Sequence, residues 1–358
     1  MTDLRVALIG YGAAGASLHA PLIASVPGLR VAAVVTRDAG RAARARAVLP
    51  GVEVLASAEE VWSAADRFDT AVVATPNRSH GPLALAALEA GLPVLVDKPL
   101  APTTAAAQGI LDRARVSGEL LSVFQNRRWD SDVLTLQRLL AAGELGAVHR
   151  FESRFERWRP RVAAGWRSSG DPADGGGVLL DLGSHLVDQA LLLWGPVREV
   201  YAEVDARRGG DADDDVFLAV THESGVRSHL WAGALTAARG PRLRVLGSGG
   251  ALVVAELDSQ EAALRDGVSP LDEAWRSAAP GSWATVGTDD RAVRERGLPG
   301  DYRSLYVGWR DALLGRGPVP VDPADAVATL RVLDAARVSA VERRVVPVAV
   351  GGSPREAT

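Results

Sequence analysis

The sequence predicts two domains: a doubly wound α/β domain with a parallel sheet, then an α+β domain with a large, mostly antiparallel open sheet. Three observations carry this. β-branched runs alternate with Ala-rich helical stretches over the first third, a glycine pattern follows the first run, and after Phe124 the runs lengthen and alternate apolar with polar residues. At 358 residues the chain is long for one core. The expected division is 1–123, 124–345 and a disordered tail over 346–358.

The runs LRVALIG (4–10), LRVAAVV (29–35), TAVVAT (70–75), PVLVD (93–97) and LLSVF (120–124) read as buried parallel strands, with crossover helices between them. Directly after the first run comes GYGAAG. It sets Gly10, Gly12 and Gly15 in G-x-G-x-x-G spacing, with Tyr11, Ala13 and Ala14 between them and a helical segment ending near Ser25. The glycines provide a tight turn, close approach of backbone to a pyrophosphate, and close helix–strand packing, while the helix N-terminus offers unpaired N–H groups to the phosphates. This is the dinucleotide-binding pattern of a Rossmann domain. At the end of the second run, VVTRDAGR places Thr36 and Arg37 where an NAD site usually carries an acidic residue. Arginine's planar fork suits a 2′-phosphate and Thr36 adds a hydroxyl, so NADP(H) is preferred over NAD(H). Asp38 complicates this choice, unless it caps the helix that starts at Ala39.

Beyond Phe124, a helix is expected over about 131–142, followed by alternating runs at 147–157, 197–206, 215–222, 226–233 and 242–256. In the first of these, Phe151, Ser153 and Phe155 share one face and Arg150, Glu152, Arg154 and Glu156 the other, which is expected to be solvated or ion-paired at a subunit contact. Helices near 302–315 and 323–343 close the chain, the latter with Asp322 as cap and Pro323 as first residue.

Composition excludes several classes. A net charge of −4 with dispersed basic residues leaves no electrostatic footprint for nucleic acid. No apolar run is long enough to span a bilayer, and the N-terminus lacks a leader pattern, so a cytoplasmic location is expected. With no cysteine there is no thiolate metal site or cysteine nucleophile; no metal site is expected.

The chain holds 40 Lys plus Arg, of which one alone, Lys98, is lysine, leaving 39 arginines. Retention of a single lysine at the end of the PVLVD strand, on the rim where open α/β sheets bind ligands, points to a role for a compact ammonium that arginine cannot fill. A second candidate lies in GGGVLLDLGSH, where a glycine-rich loop meets a helix start. Asp181 and His185 are spaced i,i+4 there and share a helix face. A capping Asp with a core His is the structural alternative. Hydride transfer from an alcohol needs an acceptor for the hydroxyl proton and a positive group beside the developing alkoxide. His185 suits the first task, with Asp181 to orient it, and Lys98 suits the second.

The joint occurrence of GYGAAG, ATPNRSH (74–80), DKP (97–99), NRRWD (126–130) and GGGVLLDLGSH (175–185) resembles the Gfo/Idh/MocA oxidoreductases over about residues 3–345. The stretches NRRWDSDVLTLQRLL and DLGSHLVDQALLLWG are most similar to the NADP-dependent scyllo-inositol dehydrogenase branch. The resemblance implies oxidation or reduction of a cyclitol or sugar hydroxyl by Lys98, Asp181 and His185. It carries Thr75, Pro76 and Asn77, with His80 nearby, to the nicotinamide side of the cofactor. Asp97 stands where the family usually has Glu. Asn126, Arg127 and Arg128 fall at the domain junction, Arg128 toward substrate, and Trp166 and Arg167 are candidates to close over the cofactor; structural ion pairs and an interface Trp are the alternative for these five. A homo-oligomer, dimer or tetramer, through the second-domain sheet is also implied. Two alternatives keep the same fold: a catalytically idle cofactor-binding sensor, and an enzyme whose nicotinamide cycles internally, as in transhydrogenation or redox-assisted glycoside cleavage.

Overall fold

A computed structural model describes residues 3–162, 165–276 and 283–349. The strands of the first part are β1 (Leu4–Ile9), β2 (Leu29–Val35), β3 (Glu53–Leu55), β4 (Thr70–Val73), β5 (Val94–Asp97) and β6 (Leu121–Phe124). All pair in parallel, in the order β3-β2-β1-β4-β5-β6. β4 and β6 are buried at every residue, which is why these runs do not alternate; their polar members, Thr70 and Ser122, donate to the Pro93 and Val321 carbonyls at 2.9 and 2.8 Å. Among the helices are α1 (Ala20–Ala24), α2 (Ala39–Val48), α3 (Ala58–Trp62), α4 (His80–Glu89) and α5 (Thr104–Ser117). β3 went unpredicted because three residues leave no readable alternation.

α6 (Ser131–Ala141) leads to the second sheet, which holds β7 (Val148–Glu156), β8 (Val197–Asp205), β9 (Asp215–His222), β10 (Arg227–Gly233), β11 (Leu243–Gly247), β12 (Ala251–Val254), β13 (Trp283–Gly287), β14 (Val293–Arg296) and β15 (Val346–Pro347). The order is β14-β13-β12-β11-β7-β10-β9-β8-β15. β7 and β10 run parallel, and the other pairs with a described register are antiparallel. On β7, Phe151, Ser153 and Phe155 are fully buried, and the opposite face carries the Arg154–Glu152–Arg244 ion pairs at 3.0 and 3.2 Å. α7 (Val178–Asp181) and α8 (Gly183–Trp194) precede β8, and α8 packs on β10 and β7.

The expected run 242–256 is two strands. Gly247 N–H bonds the Gly250 carbonyl at 2.9 Å, turning the chain at GSGG between two antiparallel strands. The tail expected from 346 is also corrected at its start: Val346 and Pro347 pair with β8, and 350–358 lies outside the described residues.

The described residues form two compact units, those within Met1–Leu136, Glu256–Trp283 and Arg296–Ala324, and those within Gln137–Ala255, Ala284–Glu295 and Asp325–Thr358. The expected cut at 123/124 marks the end of β6, whereas the first unit continues past it and takes in two later segments. These carry α9 (Gln260–Arg265), α10 (Glu273–Arg276) and α11 (Arg303–Leu313). α11 explains the return of the chain. Tyr302, just before it, and Tyr306 and Trp309, at helical spacing, are fully buried in the core of the parallel sheet. Trp309 Nε1 donates to Thr70 Oγ1 at 3.2 Å, and Arg303 donates to Ser25 at 3.2 and 2.9 Å. α12 (Pro323–Glu342) starts as expected, with Asp322 accepting from Ala324 N–H at 2.8 Å.

Candidate active site

The candidate residues divide between the two units. In the first, the glycine loop is built by steric exclusion. Gly10 sits at φ +98, and a Cβ at Gly15 would stand 2.1 Å from the Gly10 carbonyl oxygen, so no larger residue fits. The segment Gly15–His19 is a widened turn inside the helix that Ala13 and Ala14 open, Ala20 N–H bonding the Gly15 carbonyl, before α1 continues it. Gly12 is open on its outward side: a methyl group there would meet nothing nearer than Arg41 Nη1, at 3.9 Å. Such a floor, with Ala13 and Ala14 opening the helix beside it, fits the close approach of a pyrophosphate. Tyr11 points inward and is 2% exposed; burial raises its phenol above the ordinary range, against the pull of Arg44.

At the end of β2, Asp38 Oδ1 accepts from Arg41 N–H at 2.7 Å and caps α2, the structural role available to it. Thr36 Oγ1 accepts from Asp38 N–H at 3.3 Å, and the exposed Arg37 reaches the Ala56 carbonyl at 3.4 Å.

After β4, Thr75 and Pro76 turn the chain. Ser79 Oγ contacts Thr75 Oγ1 at 2.8 Å and donates to the Pro76 carbonyl at 2.7 Å, and Asn77 is buried. Buried His80 ties this turn to the next strand end. Its Nδ1 lies 2.8 Å from the Pro99 carbonyl and its Nε2 2.8 Å from the Thr75 carbonyl. Lys98 therefore projects from a turn held on both sides. Its own N–H donates to Asp97 Oδ1 at 2.8 Å, and the Lys98–Pro99 bond is cis. Burial works to raise the Asp97 carboxyl, but His19, His80 and Lys98 hold it below the ordinary carboxylate value.

NRRW ends β6. Asn126, Arg127 and Arg128 are all buried there. The Arg127 guanidinium is engaged by Asp130 at 3.3 Å and by Glu261, and Tyr302 donates to the same Asp130 at 2.6 Å. This ion-paired network holds the returning segment at β6 and keeps Arg127 protonated, its charged neighbours outweighing the burial that opposes charge.

In the second unit, the helix carrying Asp181 starts three residues before it, at Val178. Its cap comes from far away in sequence: Leu179 N–H donates to Asp213 Oδ1 at 2.6 Å and Val178 N–H to the Asp213 carbonyl at 3.0 Å. Gly177, at φ +88, leaves room for this carboxylate, which a Cβ would meet at 2.0 Å. Asp181 is thus not the cap. It closes α7 and lies 3.7 Å from Arg167 Nε, while Arg167 stacks over Trp166 at 4.3 Å. His185 is 5% exposed on α8, edge-on to Phe155 with ring centroids 6.2 Å apart. Arg242 covers the Phe155 ring at 4.3 Å and donates to Gln189, one turn beyond His185, at 3.0 Å.

Sequence reasoning missed Asp213, Arg242, His19 and Tyr306. For Asp213 the only signal is the acidic run DADDD, which reads as a solvated loop. His19 follows the glycine loop closely, but its partner Tyr306 is 287 residues away.

Two family descriptions match the chain: "Oxidoreductase family, NAD-binding Rossmann fold" over residues 4–125 and "GFO/IDH/MocA C-terminal domain" over 133–253. The uncharacterized oxidoreductase YdgJ of Escherichia coli (strain K12) is 39% identical over 95% of this chain and 97% of its own. The scyllo-inositol 2-dehydrogenase (NADP(+)) IolW of Bacillus subtilis (strain 168) is 30% identical over 96% of this chain and 95% of its own. A crystal structure from Klebsiella pneumoniae, 36% identical, superposes with a TM-score of 0.88 over 98% of this chain and 96% of that one.

Proposed function

The chain belongs to the Gfo/Idh/MocA family of oxidoreductases, with a nicotinamide-dinucleotide-binding Rossmann domain, and from that membership we propose that it transfers hydride between NADP(H) and a secondary alcohol or ketone of a cyclitol or sugar. The observation that carries the reading is the chain's single lysine at the carboxyl end of β5, on the sheet edge that also bears the glycine loop. NADP(H), when bound, accepts or supplies the hydride. In the oxidative direction His185 takes the hydroxyl proton, Asp181 orients the imidazole and supports its positive charge, and the Lys98 ammonium stabilises the oxygen as the proton leaves. The carbon loses its hydrogen with the bonding pair and becomes a carbonyl.

The choice of NADP(H) rests on β2. With Asp38 spent on capping α2, the exposed Arg37 and Thr36 remain for a 2′-phosphate, and IolW, 30% identical, is named for NADP(+). We assign Thr75, Pro76, Asn77, His80 and Asn126 to the nicotinamide side, Trp166 and Arg167 to cofactor binding as well, and Arg128 to substrate. Arg127 we assign to the scaffold, given its ion pairs. The outward face of the second sheet, where Arg154 stacks over Trp231 at 3.8 Å beside Phe217, is assigned to a homodimer or tetramer contact. No helix of the described residues is long and apolar enough to cross a membrane.

The test is an absorbance screen for reduced nicotinamide with inositols, hexoses and their keto forms, using both cofactors. Turnover of a cyclitol or sugar with NADP faster than with NAD is expected. Bound cofactor without net turnover of any polyol would replace this reading with internal cycling or an idle sensor.

A further inference from the structure

Behind Lys98 lies a buried polar chain that hydride transfer does not by itself require. His19, on the widened turn after the glycine loop, is 0% exposed. Its Nδ1 lies 2.6 Å from Tyr306 Oη, and its Nε2 faces Asp97 Oδ2 across a longer contact of 3.5 Å. The imidazole is wedged against Phe124, with ring centroids 4.2 Å apart, so it has little freedom to turn away. One arrangement of protons satisfies every neighbour: Tyr306 O–H donates to His19 Nδ1, His19 Nε2–H points at Asp97 Oδ2, and Lys98 N–H donates to Asp97 Oδ1 at 2.8 Å. Both carboxylate oxygens then face donors, and the chain ends at the residue from which the lysine projects.

We infer that His19 and Tyr306 are positioning residues for the reaction: they fix Asp97 in one orientation, and Asp97 in turn holds the strand end from which Lys98 projects. The inference rests on Lys98 serving the proposed reaction. Asp97 is faced by His19, His80 and Lys98, and its charge acts in turn on Tyr306. A buried carboxylate loses its charge when its donors are removed, and the strand end then loses the ionised acceptor that holds the Lys98 N–H. Burial and the Asp97 charge both push the Tyr306 phenol well above its ordinary range, so it stays a neutral donor across the working pH.

Because Lys98 is the only lysine, its side chain can be followed directly, without turnover. The experiment measures acylation of the Lys98 amine by an N-hydroxysuccinimide ester at a fixed, mildly alkaline pH, located by peptide mass, in wild type, His19→Leu, His19→Gln, Tyr306→Phe and Asp97→Asn. Melting temperature and NADP affinity serve as controls. Asp97→Asn and His19→Leu should acylate about fivefold faster or more, because the strand end that bears the amine is no longer held. His19→Gln, which keeps a donor toward Asp97, should stay near wild type, and Tyr306→Phe should fall between. Unchanged acylation in Tyr306→Phe and Asp97→Asn, both gentle on the core, would overturn the inference. So would equal acceleration in His19→Gln and His19→Leu. A wild type that turns over no polyol would instead count against the proposed reaction, and the acylation series would still decide whether the chain governs Lys98.

Discussion

The strand end that bears Lys98 and the start of α7, the short helix that carries Asp181, are both held by carboxylates, yet by opposite routes. Asp97 is the residue next to Lys98, and its oxygens are fixed by the lysine's own N–H and by His19. Asp213 is 34 residues from the helix N–H it accepts, and it reaches that site through the gap left by Gly177. Their charges respond in opposite senses. Cationic neighbours hold Asp97 low, whereas burial, only partly offset by backbone N–H donors and Arg337, holds Asp213 high. A carboxylate that must act as a charge is kept ionised by partners, while one that serves as a cap works as a hydrogen-bond acceptor and has less need of its charge.

Three substitutions break or sharpen this contrast. His185→Ala should have the largest effect, lowering turnover by roughly 10²–10⁴ with cofactor affinity near normal; surviving turnover with an unchanged pH profile would move the base elsewhere. Arg37→Ala comes next, weakening NADP binding by about 1.5–3 kcal/mol and leaving NAD nearly unaffected, as titration of both cofactors would reveal. Asp213→Asn should be smallest, within about 1 kcal/mol, since the amide oxygen still accepts from Leu179 N–H. Its signature lies in pH. A carboxyl raised in the folded state contributes stability that is fully present below its unfolded value of about 4 and is lost as pH rises through the folded value. Melting temperatures of Asp213→Asn should therefore gain on wild type as pH increases from about 4, and a parallel pair of curves would refute the assignment.

Much of this was legible in the sequence where neighbours in the chain are neighbours in space. The parallel strands announced themselves as mostly apolar, β-branched runs, the glycine loop by spacing, Asp38 as a cap, and Lys98 by being the one lysine. What stayed hidden depends on distant partners. Tyr302, Tyr306 and Trp309 return to the first core from a helix that reads like any other amphipathic segment. The run read as one strand over 242–256 is a β11–β12 hairpin turned at GSGG. Arg127, carried by a motif toward the cofactor, is engaged by Asp130 and by Glu261, whose place beside it depends on that returning segment. The helix start after the glycines and the i,i+4 spacing of Asp181 and His185 were visible, but not the break at Leu182 that puts the two on separate helices, α7 and α8, nor the cap supplied by a loop between two later strands.

The most direct measurement is steady-state turnover of Lys98→Arg, with melting temperature and NADP binding as controls. A guanidinium is planar, larger and permanently charged, so it cannot take the place of an ammonium beside a tetrahedral alcohol carbon. Turnover should fall on the order of 10²-fold or more while folding and NADP affinity are retained. Wild-type turnover in that variant would contradict the catalytic role of the chain's only lysine.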